Sequence, residues 1–127
     1  MLLSVHRSYL SIVKSVVGRF DVHGLSHITG GGLVGNTMRV IPKGLTLSID
    51  WESWERPAIF RMIQRMGGVP EGDMRRTFNL GIGLVMIVHE RTHGDVLRYL
   101  RRKGEKAVAI GEVVAHHRKQ KRTLSVH

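Results

Sequence analysis

The stretch that most restricts what this chain can fold into is 24–42, which reads Gly24-Leu25-Ser26-His27-Ile28-Thr29-Gly30-Gly31-Gly32-Leu33-Val34-Gly35-Asn36-Thr37-Met38-Arg39-Val40-Ile41-Pro42. Residues 22–28 alternate and are rich in β-formers, whereas Leu33, Met38, Val40 and Ile41 fit a short helix ending before Pro42. Thr29-Gly30-Gly31-Gly32 is therefore a strand-to-helix turn. Three consecutive glycines are costly to order, and without Cβ atoms their N–H groups can come close to a ligand. An oxyanion there would satisfy free N–H donors and meet the positive end of the helix dipole. The turn is a candidate cradle for a phosphate or acyl oxygen, or merely a tight turn, since it has neither the lysine of a Walker loop nor the spacing of a dinucleotide fingerprint. Its neighbours favour the cradle. His27 lies just upstream, and Asn36 and Arg39, three residues apart, share a helical face downstream.

At 127 residues the chain is read as one domain, 1–127, large enough for a real core. Its 42% apolar and 24% charged residues describe a globular and not a disordered chain. The absence of cysteine rules out a disulfide framework and fits a reducing compartment. The longest apolar run, 82–88, is far too short to span a bilayer, so no membrane role is expected. The formal charge of +10 suggests nucleic acid, anionic ligands or an anionic surface. Nucleic acid is disfavoured because no module signature accompanies the charge, and the few aromatics are not interleaved with Arg and Lys as a stacking platform requires. Binding through the basic tail would fall steeply with salt.

Elsewhere the apolar spacing fixes a series of elements. Leu10, Val13, Val16, Val17 and Phe20 lie at helical spacing and predict a helix packed on the core. Alternation in the first strand puts His23 and His27 on one face with Leu25 and Thr29. A second strand over 45–50 is followed by Trp51 and Trp54, read as core or hinge aromatics. Pro57 opens a helix with an Ile59, Phe60, Ile63 and Met66 stripe, its methionines taken as packing residues, and Gly67-Gly68 stops it. A shorter helix within 70–79 carries Glu71 and Asp73 in its first turn and Arg75 and Arg76 in its last. It runs into Asn79-Leu80-Gly81-Ile82-Gly83, where two glycines entering a strand over 84–88 mark close backbone approach.

His89-Glu90-Arg91-Thr92-His93 spells the motif of zinc peptidases, which needs both histidines inside one helix. Here His89 ends a strand pattern, and Thr92 with Asp95 reads as an N-cap between the two histidines. No metal ligand is assigned. A helix over 93–103 with Val96, Leu97 and Leu100 inward ends at Gly104, and a last apolar strand spans 107–114. The basic run 116–122 reads as a solvated hairpin tip, with 123–126 able to pair as an edge strand.

Gly24-Leu25-Ser26-His27-Ile28-Thr29-Gly30-Gly31-Gly32, Asn36, Arg39-Val40-Ile41-Pro42 and later Arg76-Thr77-Phe78-Asn79-Leu80-Gly81-Ile82-Gly83 together resemble aminoimidazole ribonucleotide synthetase, the phosphoribosylformylglycinamidine cyclo-ligase family. The likeness runs over about 2–114 and covers only the C-terminal half of that enzyme. It departs from the family pattern at Val5 and His6, at Gly35, where the family usually has glutamate, and at Thr37-Met38, which replace Ile-Pro.

The element pattern predicts an α+β domain, a mixed β-sheet of four to six strands with helices packed against it. The resemblance implies the C-terminal-domain fold of the synthetase superfamily, with an N-terminal half, supplied in cis or in trans, that carries the ATP site and forms a homodimer. It further implies a cytoplasmic enzyme of purine biosynthesis using ATP and Mg2+, neither held by this chain alone, and a small-molecule ribonucleotide substrate. ATP would activate the formyl-derived amide oxygen of formylglycinamidine ribonucleotide as a phosphate ester, and an internal nitrogen would close the ring as phosphate leaves. His27 would be catalytic, orienting or protonating the reacting oxygen. Thr29, Gly30, Gly31 and Gly32 would hold phosphate or a developing oxyanion, and Asn36 and Arg39 would shape the pocket wall or bind phosphate. Thr77, Asn79, Gly81 and Gly83 complete the candidate substrate site. The competing class is a freestanding, non-catalytic anion- or nucleotide-binding module, which needs no N-terminal partner.

Overall fold

The computed structural model describes residues 9–115 and the backbone of 124–126. In chain order the elements are α1 (Leu10–Val17), β1 (Val22–His27), α2 (Gly32–Met38), β2 (Leu45–Ile49), α3 (Ala58–Gly67), α4 (Glu71–Thr77), β3 (Leu84–His89), a 3₁₀ turn (Glu90–Thr92), α5 (His93–Arg102), β4 (Gly111–Ala115) and β5 (Leu124–Val126). The architecture is α+β as expected. The five strands form one sheet in the order β1-β3-β5-β4-β2. Its four pairings are all antiparallel, so the sheet is not mixed.

Strand β3 is the keel of this sheet. Val85, Met86, Ile87 and Val88 are each buried, as expected of a strand covered on both faces. Alternation sends Val85 and Ile87 into a cluster with Ile28, Leu33, Ile110 and Val113, while Met86 and Val88 join Val16, Val96, Tyr99 and Leu100 on the other face. One face is thereby covered by α1 and α5, and the other receives α2 and the Trp51–Trp54 loop. Each fully buried aliphatic side chain contributes roughly 1.5–3 kcal/mol.

Several expectations are revised. Strand β5 is not at an edge but sits between β3 and β4, an outcome set by long-range pairing that a three-residue strand does not advertise. Residues 105–110 form no strand, and β4 begins only at Gly111, where any Cβ would overlap the Ser48 carbonyl of neighbouring β2. A register shift between Val22 and Gly24 breaks the β1 alternation, so Val22 and Leu25 pack in the same cluster and His23 leaves the Leu25 face. Leu10 and Val17 of α1 are exposed. Helix α3 has no buried residue: Phe60 packs against Phe78, but Ile59, Met62 and Met66 face outward, so the methionines are not packing residues. Thr92 stands at the N-cap of α5 as expected, but its hydroxyl donates back to the His89 carbonyl and makes no capping bond. The basic run 116–122 lies outside the described residues.

Helix α4 is tied down electrostatically. Arg56 donates through Nη1 and Nη2 to the Glu71 carboxylate at 2.9 and 2.7 Å, while Arg75 Nε and Gln64 Nε2 donate to it at 2.7 and 3.2 Å. The Arg56 bonds are the largest influence holding the Glu71 carboxyl down at about 2, against a partial cost of burial. The lowered value means that the network stabilises the fold above the ordinary carboxyl range and is lost as pH falls through about 2. Glu71→Gln is expected to cost about 1 kcal/mol or less at neutral pH, the cluster being half exposed. In denaturation experiments its deficit should shrink as pH drops from about 4.5 to about 2. A deficit independent of pH would contradict the ionic origin.

The α2 helix carries an opposite defect. Thr37 is fully buried, and its hydroxyl has no hydrogen-bond partner among the described residues. An unsatisfied buried hydroxyl is costly. Thr37→Val is expected to raise stability by about 1 kcal/mol in urea denaturation, and a loss of stability would show that the hydroxyl is satisfied in solution.

Candidate functional site

The register of β1 on β3 assembles the site. His27 pairs with Leu84, and one step further the Ile28 N–H donates to the Gly83 carbonyl at 2.9 Å. The end of β1, which leads into the glycine turn, therefore lies beside the segment that leads into β3. The two sequence blocks singled out, 24–32 and 76–83, meet at one end of the sheet.

The turn itself requires glycine for two separate reasons. Gly31 and Gly32 have φ of 104° and 81°, a region that side-chain-bearing residues rarely enter. Gly32 also packs so closely on α4 that a Cβ would overlap the Arg75 carbonyl oxygen. Gly30 has open space around it, and Thr29, Gly30 and Gly31 are exposed.

Asn36 is buried beneath this turn. Its Nδ2 donates to the carbonyls of Gly32 at 2.7 Å and Thr29 at 3.2 Å, with a longer contact of 3.4 Å to that of Gly30. Its Oδ1 accepts from Thr29 Oγ1 at 3.2 Å and from Arg39 Nη1 at 3.5 Å. The carboxamide is thus engaged by the protein, and Arg39, which is exposed, is the member of the pair that faces solvent.

The second block is shaped largely by packing. Asn79 Oδ1 accepts from the Gly81 N–H at 2.9 Å, a side chain closing its own turn. Leu80 takes a positive φ of 54°, and its carbonyl accepts from Trp54 Nε1 at 3.0 Å. A Cβ on Gly81 would strike the Pro57 ring, and one on Gly83 would strike the Tyr9 hydroxyl. Thr77, the last residue of α4, is exposed.

Not every candidate converges. His27 is exposed, and its ring meets Tyr9 edge-on with centroids 6.1 Å apart. His23 instead approaches His89 at 6.0 Å, so the two strand histidines do not act together. Gly81 and Gly83 line a cavity of about 360 Å³ with Tyr9, Leu84 and Lys106. A second, more polar cavity of about 720 Å³ lies over the Glu71 network, where the Arg75 guanidinium stacks 4.3 Å from the Trp51 ring centroid. Residues 29–32 line neither cavity. Sequence reasoning assigned Arg75 only to the helix dipole and gave Tyr9 no role at the site. The Glu71–Arg75 spacing of four was the available signal for the first, while the Tyr9 contact spans too many residues to be read locally.

The zinc-peptidase spelling is resolved by geometry. His89 closes β3, and its Nδ1 accepts from the Arg91 N–H at 3.1 Å. His93 begins α5, with its Nδ1 2.7 Å from the Glu90 carbonyl. The two imidazoles do not share a helix.

Residues 6–122 match the family model described as AIR synthase related protein, C-terminal domain. Proteins named phosphoribosylformylglycinamidine cyclo-ligase are similar to the chain. That of Sorangium cellulosum is 51% identical over 116 residues, covering 90% of this chain and 33% of the relative. That of Pseudothermotoga lettingae is 44% identical over 113 residues, covering 89% and 33%, and that of Trichlorobacter lovleyi is 41% identical over 119, covering 94% and 34%. The chain therefore spans about a third of the length of these relatives. With its sheet, glycine turn and Asn79-Leu80-Gly81-Ile82-Gly83 block in place, the chain belongs to the family of AIR synthase related C-terminal domains.

Proposed function

We propose that this chain serves as the C-terminal part of an ATP-dependent cyclo-ligase that converts formylglycinamidine ribonucleotide to aminoimidazole ribonucleotide, its glycine turn facing the substrate. The observation that carries this reading is the turn 29–32, exposed at 29–31, whose Thr29 and Gly32 carbonyls are drawn inward onto Asn36 at the point where both family motifs meet. Such a surface is half of a site. The other half would come from the polypeptide that accounts for the remaining length of the relatives, joined in cis or in trans and forming the homodimer.

ATP, when bound with Mg2+, would supply phosphoryl activation of the amide oxygen. The carboxylates for Mg2+ would belong to the remaining part, as the resemblance implies. The roles left to this chain are positioning and charge stabilisation. The N–H groups of the turn would hold the phosphate or developing oxyanion, with Arg39 as an exposed cation beside them. His27 would orient or protonate the reacting oxygen, its ring steadied by Tyr9. Gly81 and Gly83 would border the ribonucleotide through the cavity they line.

One feature favours the second reading, a non-catalytic anion-binding module. Gly35 brings no side chain to open space on α2, where the resembling family carries glutamate. The two readings differ in a direct test. Mixed with the N-terminal half of a relative, the chain is expected to restore release of ADP and phosphate in the presence of formylglycinamidine ribonucleotide, and to show no cyclisation by itself. Folded, associated halves without activity would favour the module. In the active mixture, His27→Ala is expected to lower turnover by on the order of 10²-fold or more, and unchanged turnover would remove His27 from the mechanism.

A further inference from the structure

We propose that Asn36 is a positioning residue that fixes the glycine turn, and is not itself a contact to substrate; this rests on the assignment of the turn to the reaction above. Three consecutive glycines leave a chain with little conformational preference, and ordering each residue costs roughly 1–2 kcal/mol. Within the described residues a single buried carboxamide gathers this segment. Nδ2 donates to the carbonyls of Thr29 and Gly32, with the Gly30 carbonyl at 3.4 Å, and Oδ1 accepts from Thr29 Oγ1.

The consequence is directional. The C=O and N–H of a trans peptide unit point opposite ways, and the described residues contain no cis peptide. Drawing the Thr29 and Gly30 carbonyls onto Asn36 therefore turns the Gly30 and Gly31 N–H groups away from it, toward the exposed side of the turn. Asn36 sets where these donors point. With its own polar atoms occupied and its side chain buried, it has no free group to offer a ligand. Arg39 is coupled to the same arrangement through Oδ1.

The test uses Asn36→Asp and Asn36→Ala, with Leu33→Ala as a control that weakens the same helix from its apolar side. Asn36→Asp keeps the size of the side chain and its acceptor toward Thr29 and Arg39, but removes the donor. In the chain alone, 15N relaxation should give order parameters near about 0.85 at Gly30 to Gly32 in the wild type and below about 0.6 in both Asn36 variants. Leu33→Ala should lower stability while leaving those values high. In the mixture with an N-terminal half, the Asn36 variants should lose on the order of 10²-fold in kcat, with KM for the ribonucleotide within about threefold of wild type. A rigid turn in the Asn36 variants would overturn the proposal, and so would a raised KM with unchanged kcat, the sign of a direct contact. If neither Asn36 variant folds, Thr29→Val removes only the hydroxyl bond to Oδ1 and should loosen the turn to a lesser degree, an unchanged turn again overturning it. A wild-type mixture without activity would refute the assignment of the turn to the reaction, while the relaxation data would still decide whether Asn36 orders it.

Discussion

The pairing of β1 with β3 is the constraint on which the rest of the molecule depends. Because the strands are antiparallel and His27 lies opposite Leu84, the exit of one strand and the approach to the other occupy the same end of the sheet. The Ile28 to Gly83 backbone bond carries the register one residue beyond the ladder. A slip of one residue would send Val85 and Ile87 to the wrong face and empty the core of its central strand. The buried alternation of β3 therefore protects the site as well as the fold.

Around that junction the glycines do different work. Gly32, Gly81 and Gly83 are small because the Arg75 carbonyl, Pro57 and Tyr9 lie against them, and they knit α2, α4 and α1 to the end of the sheet. Gly30 is crowded by nothing. Packing explains the first group, whereas no packing demand accounts for the glycine at position 30. The Glu71 cluster extends the scaffold, since Arg75 binds Glu71, stacks on Trp51 and presents its carbonyl to Gly32.

Much of this was legible in the chain. The change from a period of two to helical spacing across Thr29-Gly30-Gly31-Gly32 located β1, the turn and α2, and the strand pattern ending at His89 placed the two histidines of the zinc-peptidase spelling on different elements. What local pattern could not give was long-range pairing. β5 has only three residues, and its place between β3 and β4 depends on neighbours far away in sequence. The bulge at His23 leaves no compositional mark, so alternation put His23 and His27 together when they lie apart. On α3 a helical stripe marks apolar spacing but not which part of it is covered, and Ile59, Met62 and Met66 stay exposed. At the site, spacing brought Asn36 and Arg39 to one face, but only the coordinates separate the buried residue that holds the turn from the exposed one beside it.

The most direct measurement is amide hydrogen exchange of the chain with and without the N-terminal half of a relative, in the presence of nucleotide and formylglycinamidine ribonucleotide. If the glycine-turn end of the sheet is one half of a composite site, protection should rise together at 29–32 and 79–83, two stretches distant in sequence that the β1–β3 register brings together. Protection confined to other surfaces, with 29–32 exchanging as in the isolated chain, would contradict the placement of the site at this junction.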